Sequence, residues 1–330
     1  MRTSRPLERS PSLAPLLARF CGRKVLVVGD LVADQYIYGE TDRISREAPV
    51  LIVRHQSSDV KLGGAGNAAA NLRALGARVT AIGSLGRDEL GAQLRALCRD
   101  LGVRLATPKT CRVPTESKTR ILAGGVNTRR QQMLRLDRGS DGKLPPETEH
   151  ELARLVGSLA QDAEAILVSD YGAGVLGEKV IAEVLAAAHA GVPVVVDSRY
   201  NLQAFDGATV LKPNEPELCA LTGLRTDTEE QLLKAIRRAQ RLVPNHAWVV
   251  TLGCHGMAVA EGSNLTLISA HGEKELVDVT GAGDTVGSAL TLGLAAGANV
   301  ESAARIANVA GALQVQKVGT ATVSLEELTL

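Results

Sequence analysis

The stretch 165–197, AILVSDYGAGVLGEKVIAEVLAAAHAGVPVVVD, sets two short apolar runs, AILVSD and PVVVD, on either side of a helical stretch at 176–190. Neither run alternates apolar with polar, the look of strands buried on both faces. A strand, a crossover helix and a second strand imply a right-handed unit with its strands parallel. The same rhythm extends outward. KVLVVGD (24–30) and VTAIG (79–83) lie upstream, while TVLK (209–212) and AWVVTLG (247–253) flank a helical stretch at 228–242. Strands alternating with helices predict a mostly parallel sheet with helices on both faces, and ligands at the carboxyl ends of its strands.

Two stretches break the rhythm. Residues 34–60, with YIYG and PVLIVR, and residues 110–138, rich in β-branched side chains, predict a small accessory sheet. The second holds Arg112, Lys118, Arg120, Arg129, Arg130, Arg135 and Arg138 against Glu116 and Asp137, seven minus two, or an excess of five positive charges. It reads either as a solvated strand face or as a lid over an anionic substrate, since Lys and Arg bind phosphate.

Over all 330 residues the net charge is only +1, and only 2 Phe, 4 Tyr and 1 Trp are present, which argues against nucleic acid or an anionic membrane as partner. No apolar run of membrane-spanning length occurs. The five cysteines form no C-x-x-C pair, against a disulfide framework or zinc knuckle and consistent with a reducing cytoplasm. Neither H-x-x-x-H nor G-x-S-x-G is present, which removes metalloprotease and serine-hydrolase readings. Residues 1–23 read as a tail with a short helix, and 24–330 as the functional domain.

The segment LVDVTGAGDTVGSALTLGLAAG (276–297) reads as a short strand running into Gly281, Ala282 and Gly283, then Asp284, then an apolar helix. Free N–H groups at such a helix start converge on an anion. A carboxylate beside them can take the proton of an attacking hydroxyl. The same residues also describe an ordinary turn with an acid favoured by the helix dipole. KLGGAGNAAANLRALG (61–76) opens a second small-residue helix without the Lys-Ser/Thr of a P-loop; its Asn67 and Asn71 either cap backbone or bind a polyol. Asp30 and Asp34 flank a strand end. In LKPNEPEL (211–218), Asn214 and Glu217 have the spacing of a capping box and equally suit a hydrated Mg²⁺. TLGCHGM (251–257) is a nucleotide wall or a plain turn.

Taken together, GGAGNAA, KPNEPEL and DVTGAGD resemble, in order and separation, the signatures of the ribokinase-like, or PfkB, family of sugar kinases, over about 24–330. The resemblance implies a three-layer αβα ribokinase-like fold with a mostly parallel central sheet and a small β-sheet lid from about 34–60 and 110–138. It implies Asp284 as base, Gly281 to Gly283 as anion hole, and Asn214 with Glu217 ordering Mg²⁺ through water. Thr251, Gly253, Gly256 and Asn308, with Asn214, would line ATP, and Asp30, Asp34, Gly63, Gly64 and Asn67 would hold sugar hydroxyls.

GDLVADQYIYGETDRIS, EAPV, SDYGAGVL and GTATVS further resemble bacterial kinases of D-glycero-β-D-manno-heptose 7-phosphate, implying phosphorylation of the anomeric hydroxyl for lipopolysaccharide core synthesis. Lys118, Arg120 and Arg135 are the candidate contacts to the substrate phosphate. In some relatives a nucleotidyltransferase follows, and the expectation here is the kinase half. Ala173 and Arg46 stand where the resemblance implies Lys and Pro, and VDSR (196–199) replaces Asp-Pro-Lys, so Asp197 receives no role. Exposed lid edges predict a homodimer through the lid. The alternatives are a kinase of fructose or tagatose phosphate, and a nucleotide-binding regulatory subunit without turnover.

Overall fold

Valines and their neighbours choose sides in the central strands: in Lys24–Gly29, Val25 and Val27 enter one core while Leu26 and Val28 enter the other. Successive strand side chains point to opposite faces, so a continuous apolar run demands cover on both. The computed structural model describes residues 13–125, 130–244, 247–272 and 276–329. Residues 1–12 of the expected tail, and Arg129 of the basic stretch, lie outside the described residues.

The first half of the chain runs α1 (Ala14–Leu17), β1 (Lys24–Gly29), β2 (Leu31–Ile44), β3 (Leu51–Gly64), α2 (Ala65–Ala74), β4 (Arg78–Ile82), α3 (Glu89–Asp100) and β5 (Arg104–Ala106). Then come β6 (Glu116–Gly124), β7 (Gln131–Arg138), α4 (Pro146–Ala160), β8 (Ala165–Asp170), α5 (Glu178–His189), β9 (Val194–Ser198) and β10 (Val210–Leu211). The remainder is α6 (Glu215–Thr222), α7 (Glu229–Leu242), β11 (Ala247–Thr251), β12 (Met257–Glu261), β13 (Asn264–Ile268), α8 (Ala282–Ala295), α9 (Val300–Gln314) and α10 (Leu325–Thr329).

Nine strands form one sheet in the order β13-β12-β11-β10-β9-β8-β1-β4-β5. All pairs from β11 to β5 are parallel, and only the β11-β12-β13 edge is antiparallel. One core lies under α2, α3, α8 and α9, the other under α4 to α7, giving three layers. Trp248 of β11 is fully buried in the second core.

The lid is a separate four-stranded sheet, β3-β2-β6-β7, in which β2 and β6 are parallel. It grows directly out of the core, because β2 begins one residue after Asp30 and β3 returns into α2. Across it Asp34, Lys118 and Asp137 are in register, and the next same-facing row is Tyr36, Arg120 and Arg135.

Residues 276–279 form no strand, contrary to the sequence reading. The N–H groups of Val277 and Asp278 both reach the Val315 carbonyl at 2.9 and 3.1 Å. The Asp278 carboxylate accepts from Thr280 N–H and Gly319 N–H, each at 2.9 Å. The segment is therefore an extended strap pinned to the end of α9.

Candidate active site

The floor is the mouth of α8. Gly281 is its N-cap at φ 82°, a left-handed conformation that suits glycine. A Cβ there would lie 2.8 Å from Asn67 Nδ2, so the position also needs a residue without a side chain. The Ala282 N–H turns back to the Val279 carbonyl at 3.2 Å. Of the expected anion hole, the Ala282 N–H is taken by that bond, while the N–H groups of Gly281 and Gly283, and that of Asp284 beside them, carry no partner among the described residues.

Asp284, in the first turn, is 4% exposed. Its Oδ2 accepts from Asn67 Nδ2 at 2.7 Å and its Oδ1 from the Tyr171 hydroxyl at 3.0 Å. Burial raises its pKa to about 7, which the Asn67 and Tyr171 hydrogen bonds oppose. A carboxyl tuned to that range is poised to exchange a proton near neutral pH. Beside it Lys212, 3% exposed, pairs with Asp197 at 2.9 Å. A Cβ on Gly283 would fall 3.7 Å from Asp197 Oδ2 and 3.9 Å from Lys212 Nζ, so the ion pair borders the helix mouth.

Asn67 thus meets Asp284, but Asn71 does not face a ligand. Its amide donates to the Asn67 carbonyl at 3.0 Å and accepts from Thr285 Oγ1 at 3.0 Å, stitching α2 to α8. Asp30 also departs from expectation. Its carboxylate accepts the backbone N–H groups of Tyr171 (2.8 Å), Ala173 (3.0 Å) and Val175 (3.3 Å), so it clamps the loop after β8 instead of presenting itself to a sugar. Burial raises its pKa to about 6.

Asp34 pairs with Arg120 at 2.5 Å, and Gly63 leaves room for that carboxylate: a Cβ there would lie 2.3 Å from Asp34 Oδ2. Gly64, at φ 55°, turns the chain from lid to α2. Because Arg120 is spent on Asp34 and lies over the Tyr36 ring at 5.3 Å, it is not a free phosphate contact. Lys118 and Arg135 do line a cavity of about 300 Å³ beneath the lid, with Arg138, Arg199, Tyr171 and Ala173 and with the carboxylates of Glu116, Asp137 and Asp141. Lys118 Nζ and Arg199 Cζ lie 4.8 and 5.0 Å from the centre of the Tyr171 ring. Burial, then the nearby Arg199, lowers the pKa of Lys118.

Asn214 and Glu217 form a full capping box: Asn214 Oδ1 accepts from Glu217 N–H at 2.8 Å, and Glu217 Oε2 from Asn214 N–H at 2.9 Å. The cap leaves Glu217 Oε1 for another task. No group of three or more His, Cys, Asp or Glu able to hold a metal occurs among the described residues. The donor set therefore fits only an ion that keeps most of its waters, as Mg²⁺ does.

Thr251 ends β11 and is bridged to Asn214. Gly253 and Gly256 make the turn into β12, and a Cβ on Gly256 would strike the Ile268 carbonyl at 2.0 Å. Asn308 of α9 donates to the Ser269 carbonyl at 2.7 Å. These four residues follow the carboxyl ends of β10 and β11 and the α9 wall beside them.

Sequence reasoning passed over Tyr171, Lys212, Asp197 and Arg199. Position alone was the available signal: Tyr171, Arg199 and Lys212 each follow the last residue of a parallel strand, and Asp197 is the penultimate residue of one.

Solved structures share this architecture. Ribokinase of Arabidopsis thaliana, complexed with ribose and ATP, superposes at a TM-score of 0.71 with 23% identity over 94% of this chain and 98% of its own. Phosphofructokinase-2 of Escherichia coli gives 0.76 and 23% over 93% and 97%. At such identity the likeness carries the fold. The resemblance is not confined to shape. Residues 23–328 match the model of the pfkB family of carbohydrate kinases, and the chain belongs to that family.

Among curated relatives, the bifunctional protein HldE of Bradyrhizobium diazoefficiens is 38% identical over 313 residues, covering 93% of this chain and 62% of its own. HldE of Caulobacter vibrioides is 38% identical over 322 residues, 96% of this chain and 65% of its own. The chain thus spans less than two thirds of the length of these relatives. Among the described residues no helix is long and apolar enough to cross a membrane.

Proposed function

We propose that the protein transfers the γ-phosphoryl group of ATP to the anomeric hydroxyl of D-glycero-β-D-manno-heptose 7-phosphate, giving the 1,7-bisphosphate and ADP. The observation that carries this reading is the cavity under the lid: Lys118 and Arg199, neither in an ion pair among the described residues, lie against the ring of a tyrosine whose hydroxyl reaches Asp284, so a place for a substrate's own phosphate adjoins the base. The resemblance of the lid and loop motifs to heptose-phosphate kinases gives the sugar.

In this mechanism Asp284 accepts the proton of the anomeric hydroxyl as its oxygen attacks phosphorus in line and the bond to the ADP oxygen breaks. The N–H groups of Gly283 and Asp284, with Lys212, meet the charge that develops on the transferring group; preorganised donors in a dry site stabilise it without reorganising. Glu217, through its uncapped oxygen, and Asn214 would hold a hydrated Mg²⁺. That ion supplies charge neutralisation on the phosphates of ATP. Asn214, Thr251, Gly253, Gly256 and Asn308 line the nucleotide, and Asp34, Gly63, Gly64 and Asn67 border the sugar.

The lid also supports a homodimer. Strand β7 is exposed along its length, and Ile44, Leu134 and Leu136 are 64%, 56% and 60% exposed, an apolar edge that a second lid would cover.

The test is ADP release with heptose 7-phosphate set against fructose 6-phosphate and tagatose 6-phosphate. Preference for the heptose by at least about tenfold in kcat/KM is expected. Preference for a hexose phosphate gives the site another substrate, and ATP binding without ADP release on any sugar makes the chain a regulatory subunit.

A further inference from the structure

Tyr171 joins two parts of the site that otherwise touch nowhere in the sequence. Its backbone is fixed, since Asp30 holds the N–H groups of residues 171, 173 and 175 against the end of β1. Its hydroxyl donates to Asp284 Oδ1 at 3.0 Å, and Lys118 Nζ and Arg199 Cζ lie 4.8 and 5.0 Å from the centre of its ring, both lining the cavity under the lid. Neither cation has an ion-pair partner among the described residues.

We propose that Tyr171 is a positioning residue for the transfer: its hydroxyl fixes the Asp284 carboxylate for the acceptor, and its ring ties that carboxylate to the filling of the cavity beside Lys118 and Arg199. The inference rests on Asp284 as the base. Burial and the neighbouring Asp284 raise the phenol's pKa well above its usual value, so Tyr171 remains a donor throughout the working range. With Asn67 Nδ2 on the other oxygen, two fixed donors hold the carboxylate, and each oxygen keeps a further lone pair for the acceptor's proton. An anion bound by Lys118 and Arg199 would rest against the ring whose hydroxyl holds the base. Occupancy and base placement are then linked through one side chain.

The charged groups that face this pair are Asp197 of β9 and Lys212 after β10 toward Asp284, with Lys118 of β6, Arg199 after β9 and Asp197 toward Tyr171. A donor to the carboxylate form lowers its pKa, and removing the donor raises it.

Tyr171→Phe keeps the ring and removes the hydroxyl. With heptose 7-phosphate, kcat should fall about tenfold while both KM values stay within about twofold, as expected for one charge-assisted hydrogen bond. The acid limb of kcat/KM should move to higher pH by about half a unit or more. Tyr171→Leu, which also removes the ring, should in addition raise KM for the sugar phosphate about fivefold. Replacing Tyr171 by 3,5-difluorotyrosine, a stronger donor, should move the acid limb the other way. A purely structural role would not produce opposite shifts. Wild-type kcat and an unmoved acid limb in Tyr171→Phe overturn the proposal. If Asp284→Asn is inactive in the same assay, only the role of Tyr171 has failed; if Asp284→Asn turns over normally, the base assignment has failed and this inference with it.

Discussion

The floor of the site and β7, the outer strand of its lid, use the same kinds of side chain under opposite conditions. On the floor, Asp284, Lys212 and Asn67 are 4%, 3% and 1% exposed, and the Lys212–Asp197 pair has its side chains 3% and 19% exposed. In the lid, the Arg135–Asp137 pair has both side chains about half exposed, at 46% and 51%. Charges out of water interact strongly and resist screening, whereas an exposed pair is worth about 0–1 kcal/mol and fades with salt. The floor is thus suited to act on bonds, and the lid to attract and sort substrates.

That contrast orders the mutational effects. Asp284→Asn should lower kcat by about 10² to 10⁴ with ATP affinity nearly unchanged, read by steady-state ADP release and nucleotide titration. A deficit below tenfold would mean that the floor carries less of the chemistry than its burial suggests. Lys212→Met should cost about 10² in kcat, because it removes a preorganised cation at the helix mouth. Lys118→Ala, at the boundary between the two regions, should raise KM for the sugar phosphate about tenfold and leave KM for ATP alone. Arg135→Ala should change that KM only about twofold to threefold, and the difference should vanish in about 0.5 M salt. An Arg135 effect as large and as salt-resistant as that of Lys118 would erase the distinction.

Asp284 also sets the pH response. Its folded pKa, raised by burial from 3.8 to about 7, means that the base is protonated below that value. The rate constant kcat/KM should therefore fall about tenfold per pH unit below about 7 and level off above it. The stability sign is the reverse: the folded state binds a proton that the unfolded chain releases, so stability falls as pH rises from about 4 to about 7. Asp284→Asn should reduce that slope in urea titrations run across the same range, leaving the part that Asp30, raised to about 6, contributes between about 4 and 6.

The parallel core was legible because runs such as AILVSD and PVVVD bury both faces, and that requirement shows in composition alone. The GAGD turn and the small-residue entry to α2 were legible for a similar reason: a helix mouth with glycine is a local matter. What escaped were contacts that depend on strand order. Tyr171 and Asp284 are 113 positions apart and meet only because β8 lies where α8 can cover it. Nothing local says that Arg120 would turn to Asp34 while Lys118, two residues earlier on the same strand, turns to the cavity. The misreading of Asp30 has the same origin: a carboxylate at a strand end suits a hydroxyl or three amides equally, and the neighbouring loop decides.

The most direct measurement is a crystal structure with β,γ-imido-ATP and heptose 7-phosphate bound. The γ-phosphorus should sit over the first turn of α8 beside the Gly283 N–H, with the anomeric oxygen within hydrogen-bond distance of Asp284 and the 7-phosphate between Lys118 and Arg199. A γ-phosphorus remote from that turn, or an acceptor hydroxyl out of reach of Asp284, would contradict the account.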